Sequence, residues 1–244
     1  MNILLVNDDG YKAKGIRELE RVLVEKGHRV YVSAPSDEQS AKSHSMTIDG
    51  TRYATKYKEG HFHIDGTPAD CIIYGLKSGL IDIKPDVVIS GINHGYNLST
   101  DIIYSGTCGA ARQASLYGYK AIAISTYRDE NSNKYSFSDC ALFLEEHLEQ
   151  FLSQIHSDVF LNINIPPNFN GEYGYASIGE IRYDDRFRIE EEDRDRYKIT
   201  NIGCDISYHS LEKSKFPNDF ELCNRGFASV SFVKLFPQSS CDHI

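Results

Sequence analysis

Short, wholly apolar runs alternate with segments of helical period along the first 165 residues, and this alternation limits the possible folds more than any other feature. Residues 3–6 are apolar throughout, as is typical of a strand buried on both faces, and an Asn-Asp-Asp-Gly segment interrupts them. From Gly15 the apolar residues follow a helical period up to Gly27, which is placed to end a helix. Residues 30–34 form a second apolar run. The pattern predicts a β-α-β unit with parallel strands.

The same alternation continues as far as residue 165. It predicts further buried strands at residues 86–91, 121–125 and 159–165, and helices at residues 67–78, 107–117 and 138–155. Residues 36–63 lack a helical period and predict a loop followed by a small hairpin. Strands that alternate with helices in this way predict an α/β fold with an open, doubly wound and mostly parallel sheet of Rossmann-like type.

The sequence changes character after Pro167. Residues 173–206 are polar, aromatic and rich in charges of both signs, which is typical of a solvated surface, and residues 226–235 predict a final strand. We therefore expect residues 1–167 to form the α/β catalytic core and residues 168–244 to be a β-rich extension of the same domain. Because this extension has too little apolar periodicity to form its own core, we expect it to pack against a second subunit.

The composition argues against several classes of function. The formal net charge is −9, from 26 Lys and Arg against 35 Asp and Glu, and a negative chain is poorly suited to bind nucleic-acid polymers or anionic membranes. No apolar run is long enough to span a bilayer, and the N-terminus lacks the basic region of a signal peptide, so we expect a cytoplasmic protein. Six cysteines lack metal-site spacing and predict reduced, mostly buried thiols: Cys71, Cys108, Cys140, Cys204, Cys223 and Cys241.

Two adjacent acids, Asp8 and Asp9, lie at the carboxyl end of the first predicted strand, where open α/β sheets bind their ligands. Two carboxylates there would repel each other unless a cation lay beside them. A simple turn before Gly10 would explain Asp9 but not Asp8. Other strand ends and loops carry oxygen-bearing side chains, namely Ser40, Asn93 and Ser125. Together with the acids these residues predict an all-oxygen site for Mg²⁺ or Mn²⁺ rather than for zinc.

The segment from Tyr104 to Ala111 opens a predicted helix with the small residues Ser105, Gly106 and Thr107. Small side chains let backbone N–H groups approach an anion, and the N-terminus of a helix adds a partial positive charge. A capped helix packed closely on the sheet would explain the same residues. Beside a metal site, however, the segment predicts a phosphate-binding turn.

Two other classes of protein are alternatives on these residues. A response-regulator receiver, which is a signalling module, also binds Mg²⁺ at an acidic pair. It requires an Asp at the end of its third strand, where this chain has Ile92-Asn93, and it is about half as long. An aspartyl-phosphate phosphatase of the haloacid dehalogenase type requires Asp-x-Asp, where this chain has Asp-Asp-Gly.

Several motifs follow one another along nearly the whole chain. They are Asn7-Asp8-Asp9-Gly10, Gly66-Thr67-Pro68-Ala69-Asp70-Cys71, Ser90-Gly91-Ile92-Asn93-His94-Gly95-Tyr96-Asn97, Tyr104-Ser105-Gly106-Thr107 and Leu161-Asn162-Ile163-Asn164-Ile165-Pro166. In this order they closely resemble the SurE (survival protein E) nucleotidase family. The resemblance implies a metal-dependent phosphomonoesterase that hydrolyses nucleoside 5′-monophosphates, and 3′-monophosphates as well.

The resemblance also implies roles for individual residues. One Mg²⁺ or Mn²⁺ ion per subunit would be held by four metal ligands, of which the two acids would also be catalytic: Asp8, Asp9, Ser40 and Asn93. The phosphate and the rest of the substrate would be bound by Asn97, Ser105, Gly106 and Thr107.

Family members are dimers or tetramers that exchange the C-terminal extension between subunits, so the resemblance implies a homodimer or homotetramer here. The chain departs from the family pattern at Lys14, where Pro is usual, and at Arg112-Gln113, where Met-Glu is common. The charged residues 182–196 are also less typical of the family.

Overall fold

Eleven strands and six helices make up the part of the chain that the computed structural model describes, residues 1–129, 131–211 and 214–236. In chain order they are β1 (Asn2–Val6), α1 (Lys14–Glu25), β2 (Arg29–Pro35), β3 (Ala54–Lys58), β4 (His61–Ile64), α2 (Pro68–Lys77), β5 (Val87–His94), α3 (Asp101–Tyr104), α4 (Gly106–Leu116), β6 (Ala121–Thr126), α5 (Phe137–Gln154), β7 (Val159–Ile165), β8 (Tyr173–Tyr175), β9 (Glu180–Asp193), β10 (Arg196–His209), α6 (Asp219–Asn224) and β11 (Ala228–Lys234).

Nine of these strands form one sheet in the order β3-β4-β2-β1-β5-β6-β7-β11-β8. The six central strands, from β4 to β7 in this order, are parallel, while β3 and β11 pair antiparallel with their inner neighbours. The predicted doubly wound, mostly parallel α/β sheet is therefore confirmed. The small hairpin predicted within residues 36–63 is formed by β3 and β4.

The strand order reverses at β1, which pairs with β2 on one side and with β5 on the other. The chain first builds the β2 and β4 side and then crosses over to build outwards through β5, β6 and β7. In open α/β sheets such a switch point leaves a crevice at the carboxyl ends of the two strands, where ligands bind. Here that crevice lies between the residues that follow Val6 and the end of β5.

Helices cover both faces of the sheet, and β1 is buried by both layers. Ile3 and Leu5 belong to the hydrophobic cluster under α1 and α5, whereas Leu4 and Val6 belong to the cluster under α2 and α4. Successive side chains of a strand point to opposite faces, so a strand covered on both sides must be apolar at every position. This burial explains why the first strand is an unbroken apolar run.

The second helix begins where the sequence predicts. Thr67 is the N-cap of α2, its hydroxyl accepts a hydrogen bond from the backbone N–H of Asp70, and the Asp70 carboxylate accepts one from the backbone N–H of Thr67. This reciprocal arrangement satisfies N–H groups that the first turn of a helix leaves without partners. The helix ends at Lys77, one residue before the predicted end.

The C-terminal part of the chain is rich in β-structure, as predicted. Strand β11 extends the main sheet beside β7, and the short β8 pairs with β11. The charged residues instead form a long antiparallel hairpin, β9 and β10, which makes a separate two-stranded sheet with mostly exposed side chains. The charges of both signs predict a solvated surface here, and they do not indicate the two strands.

Five of the six cysteines lie within the described residues. Four of the cysteines there are buried and free, and Cys204 is free and partly exposed, while Cys241 lies outside the described residues. Within those same residues, no helix combines the length and the apolar character needed to cross a membrane.

Candidate active site

A cavity of about 450 Å³ opens at the switch point of the sheet. It is lined by Asp8, Asp9, Glu38, Ser40, Ala41, Asn93, His94, Asn97, Asp101, Tyr104, Ser105 and Tyr135. Six of the eight residues predicted for the site are in this set. The other two, Gly106 and Thr107, contact Asp8 directly from the start of α4. The structure therefore brings all eight residues to one place.

Asp8 is buried and is held by the first turn of α4. The backbone N–H of Thr107 donates to Asp8 Oδ2 at 3.2 Å, and the Thr107 hydroxyl donates to Asp8 Oδ1. Burial raises the pKa of Asp8, and the hydrogen bonds from Thr107 partly oppose this effect. Burial therefore disfavours the charged form of Asp8. The N-terminus of α4, which carries a partial positive charge, points at this carboxylate and favours the charged form.

Asp9 lies beside it and is less deeply buried. Its Oδ2 accepts a hydrogen bond from the backbone N–H of His94 at 3.2 Å, and its Oδ1 is 3.5 Å from His94 Nδ1. Burial, and then the negative charges of Asp8 and Glu38, raise the pKa of Asp9 to about 7. Among the described residues, no Lys or Arg forms an ion pair with either aspartate, and burial lowers the pKa of His94.

The arrangement fits a hard divalent cation. Two neighbouring carboxylates without a counter-charge repel each other, and a bound cation would offset that repulsion. No group of three or more His, Cys, Asp or Glu side chains in the described residues could hold a metal, so a site here depends on neutral oxygens as well. Such a donor set suits Mg²⁺ or Mn²⁺ and is unlike the His and Cys shells that bind zinc.

The two neutral ligands predicted for this cation both line the cavity. The side-chain N–H of Asn93 donates to the Gly95 carbonyl at 3.0 Å, which leaves the amide oxygen of Asn93 free to accept. The Ser40 hydroxyl donates to Glu38 at 2.8 Å, so its oxygen keeps its lone pairs. Both side chains can therefore present an oxygen to a cation next to the acids.

A network of buried amides fixes the loop that carries Asn97. The backbone N–H of Asn97 donates to Asn164 Oδ1 at 2.8 Å, and its carbonyl accepts from the side chains of Asn162 and Asn164. Its own side chain donates to Ser125 Oγ at 2.7 Å. Ser125 is fully buried and does not line the cavity, so its inclusion among the oxygen-bearing candidates was wrong. It orients Asn97 instead.

Two glycines allow backbone segments to approach closely around the cavity. A Cβ on Gly106 would lie 3.0 Å from Asp8 Cβ and 3.1 Å from both Asp8 Oδ2 and Pro68 Cγ. A Cβ on Gly15 would lie 2.0 Å from the carbonyl oxygen of Ile92, just before Asn93. Only glycine fits at Gly15, and any side chain at Gly106 would press on Asp8.

The first turn of α4 has one donor to spare. The Ser105 hydroxyl caps this helix by accepting from the backbone N–H of Cys108 at 3.0 Å, and the N–H of Gly109 donates to the Ser105 carbonyl. The N–H of Thr107 is used by Asp8. The N–H of Gly106, which lies beside Asp8, has no carbonyl of its own helix to bind and is therefore free to bind an anion.

Six residues that line the cavity are not among the eight predicted for the site: Glu38, Ala41, His94, Asp101, Tyr104 and Tyr135. Asp101 and Tyr135 are in segments whose positions depend on loop geometry, whereas His94 is the last residue of β5 and follows the predicted ligand Asn93. Asp101 also accepts a hydrogen bond from the hydroxyl of Tyr183, at the base of the β9–β10 hairpin. The acidity of Glu38, two residues before Ser40, was the only signal that could have indicated its place.

The family model described as "Survival protein SurE" matches residues 3–185. The proteins named 5′-nucleotidase SurE from Campylobacter concisus and from Geotalea uraniireducens are each 36% identical to this chain, over 96% of its length and 92% and 93% of theirs. The crystal structure of the SurE protein from Aquifex aeolicus superposes with a TM-score of 0.80 at 30% identity, covering 98% of this chain and 95% of that one. A family match over most of the chain, similar sequences along almost all of it and a shared fold lead to one assignment: the chain belongs to the SurE family.

Proposed function

We propose that this chain, a hydrolase of the nucleotidase class, removes the phosphate group from nucleoside 5′-monophosphates, and from 3′-monophosphates as well, with one Mg²⁺ or Mn²⁺ ion per subunit. The observation that carries the proposal is the pair Asp8 and Asp9 at the switch point, with the N-terminus of α4 directed at Asp8. Membership of the SurE family and the name of the relatives, 5′-nucleotidase, support it.

The proposed ion ligands are Asp8, Asp9, Ser40 and Asn93. When bound, a divalent ion at this place supplies a Lewis acid that lowers the pKa of a water molecule and offsets negative charge in the transition state. Thr107 orients Asp8 through its hydroxyl and its N–H. We therefore propose that the main role of Thr107 is to orient Asp8. It is connected with phosphate binding only because it belongs to the same helical turn.

The phosphate would bind at the start of α4. The Ser105 hydroxyl lines the cavity, the N–H of Gly106 lies in the same first turn beside Asp8, and a helix N-terminus favours an anion. Asn97 lies across the same cavity and is held rigidly by its amide network, so it can donate to the substrate without losing much conformational entropy.

We propose that water attacks the phosphorus atom directly. The new bond joins the water oxygen to phosphorus, the ester P–O bond breaks, and the leaving nucleoside oxygen takes up a proton to give nucleoside and phosphate. Asp8 is poorly placed to be a covalent nucleophile, because it is buried and both of its oxygens accept hydrogen bonds from Thr107. Membership of the SurE family argues against the two alternatives, a response-regulator receiver and a phosphatase of the haloacid dehalogenase type.

The metal requirement is tested by removing the ion. Treatment with EDTA is expected to reduce phosphate release from a panel of 5′- and 3′-nucleotides to background, and added Mg²⁺ or Mn²⁺ is expected to restore it. The reason is that the ion would supply the Lewis acid that activates water and offsets negative charge in the transition state. Full activity in a metal-free preparation would contradict the proposed metal role.

We also propose that the chain forms a homodimer or homotetramer through its C-terminal extension. In the β9–β10 hairpin, Ile189 pairs with Ile199, and Phe187 and Tyr197 lie two residues along the same face. All four side chains are more than half exposed. An apolar stripe of this kind on an exposed hairpin favours burial against a second subunit.

Sedimentation at micromolar concentration tests the assembly. The wild type is expected to sediment as a dimer or tetramer, and the double variant Ile189→Asp, Ile199→Asp is expected to shift towards the monomer, because each change places a charge in the apolar stripe. The variant Asp195→Asn, in the turn of the same hairpin, serves as a control that should leave the assembly unchanged. A wild type that is a stable, active monomer would contradict this proposal.

A further inference from the structure

A second cavity, of about 580 Å³, adjoins the catalytic cavity. Asp101 lines both of them. Gly95 and Tyr96 line the second cavity, while Asn93 and Asn97, on either side of them in the sequence, line the first. The two cavities therefore meet along the loop between β5 and α3. A space of this volume is within the range of sites that bind small organic ligands.

Aromatic rings form much of the wall of this second cavity. Tyr96 and Tyr127 are stacked on each other, with ring centroids 5.2 Å apart and planes inclined by 21°. Tyr96 packs against the buried cluster that includes Leu98 and Phe220, which holds its ring in place. Tyr127 is 39% exposed, so its ring offers surface to a molecule in the cavity. The pair forms a ready-made stacking platform.

Polar groups lie around this platform. Asp101, at the junction of the two cavities, accepts a hydrogen bond from the Tyr183 hydroxyl on Oδ1, which leaves Oδ2 to accept from another donor. Arg128 donates to the neutral Asn133 at 3.0 Å, and none of the ion pairs among the described residues involves it. The side-chain amide of Asn224 also lines the cavity. Few but well-separated polar groups in an aromatic cavity are suited to orient a ligand.

We infer that the second cavity binds the nucleoside part of the substrate, with the base stacked on the Tyr127–Tyr96 pair and the ribose at Asp101. The inference rests on the proposed function and names the part of the substrate that the chain recognises. A nucleobase presents a flat π-face that stacks on aromatic side chains, and a carboxylate accepts hydrogen bonds from ribose hydroxyls. The phosphate then reaches Ser105 and the acidic pair through the shared edge of the two cavities.

Steady-state kinetics on two substrates test the inference. Adenosine 5′-monophosphate carries a base, and ribose 5-phosphate does not. Loss of one stacking partner weakens binding of a base by about tenfold. In Tyr127→Ala the ratio of kcat/KM for adenosine 5′-monophosphate to that for ribose 5-phosphate is expected to fall about tenfold, through KM, and Tyr127→Phe is expected to restore it. Tyr53→Ala, which changes a tyrosine that is 72% exposed and outside both cavities, should leave the ratio unchanged.

Calorimetric binding of adenosine makes the test independent of turnover. Adenosine is expected to bind the wild type and Tyr127→Phe with similar affinity, and to bind Tyr127→Ala about tenfold more weakly. Adenosine binding that depends on Tyr127 in a chain that releases no phosphate from any nucleotide would refute the proposed function and leave the nucleoside cavity standing. An unchanged kcat/KM ratio together with unchanged adenosine affinity in Tyr127→Ala would overturn the inference.

Discussion

The substitution Gly106→Val is expected to reduce phosphate release by about a hundredfold or more while the chain still folds, because a displacement of about 1 Å at a reacting centre has effects of this size. The Cβ of the new side chain would lie 3.0 Å from Asp8 Cβ and 3.1 Å from Pro68 Cγ, and neither neighbour is a flexible chain end. Either Asp8 or the first turn of α4 must move. Either movement would separate Asp8 from the N–H of Gly106, which we propose binds the phosphate.

A graded series separates this effect from a general loss of stability. Gly106→Ala adds only the Cβ and is expected to have an intermediate activity, whereas Gly106→Val should be nearly inactive. Overpacking of this kind costs about 1–3 kcal/mol, so circular dichroism should show that the Val variant remains folded at 25 °C. Wild-type turnover in a folded Gly106→Val would mean that the segment is only a capped helix packed on the sheet.

The second large effect is expected from Asp8→Asn, which should lower kcat by on the order of a thousandfold. Asparagine keeps the size of the side chain and can still accept from the Thr107 N–H while its amide donates to the Thr107 hydroxyl. The local structure is therefore preserved, and only the charge that we propose holds the ion is lost. Phosphate release measured at saturating Mn²⁺ provides the comparison.

A matched control is available on the neighbouring strand of the sheet. Asp86 precedes β5 at the opposite end of the sheet and accepts a hydrogen bond from the backbone N–H of Asn2 at 2.7 Å. Asp86→Asn removes the same charge from a carboxylate that lies outside the cavity, so its activity should stay close to that of the wild type. Equal losses in the two variants would remove Asp8 from the mechanism.

The parallel core could be predicted from the sequence because burial on both faces leaves a direct mark on it. Strand β1 is apolar from Ile3 to Val6 and β6 is apolar from Ala121 to Ile124, and helices separate these runs along the chain. The convergence of Asp8, Asp9 and Asn93 follows from the same pattern, since the carboxyl ends of parallel strands meet at one edge. The predicted topology alone therefore places these three residues at one edge of the sheet.

Features that depend on loops or on side-chain partners could not be predicted in this way. Nothing in the period of the sequence indicates that Asp101 and Tyr135 reach the cavity, or that Ser125 is turned away from it. Asn162 and Asn164 look like polar interruptions of a strand, and only the structure shows that they hold the Asn97 loop. The β9–β10 hairpin was missed because its charges of both signs resemble an irregular solvated segment.

The raised pKa of the acidic pair also has a consequence for stability. An aspartate with a pKa near 3.8 in the unfolded chain and about 7 in the folded one binds more protons when folded between those pH values. The metal-free protein should therefore lose stability as the pH rises from about 4 to about 7. Each pKa unit corresponds to about 1.4 kcal/mol, so the cost of burying the charge of Asp9 next to Asp8 is large enough to measure.

The most direct test of the metal site is the melting temperature at pH 8, measured in EDTA and in excess Mn²⁺ for the wild type, Asp8→Asn and Asp86→Asn. In EDTA, Asp8→Asn is expected to melt at the same temperature as the wild type or higher, because it relieves the repulsion with Asp9. In Mn²⁺, the wild type and Asp86→Asn should gain stability by ligand binding, and Asp8→Asn should gain little. An Asp8→Asn variant that melts lower in EDTA and responds to Mn²⁺ as the wild type does would contradict the account.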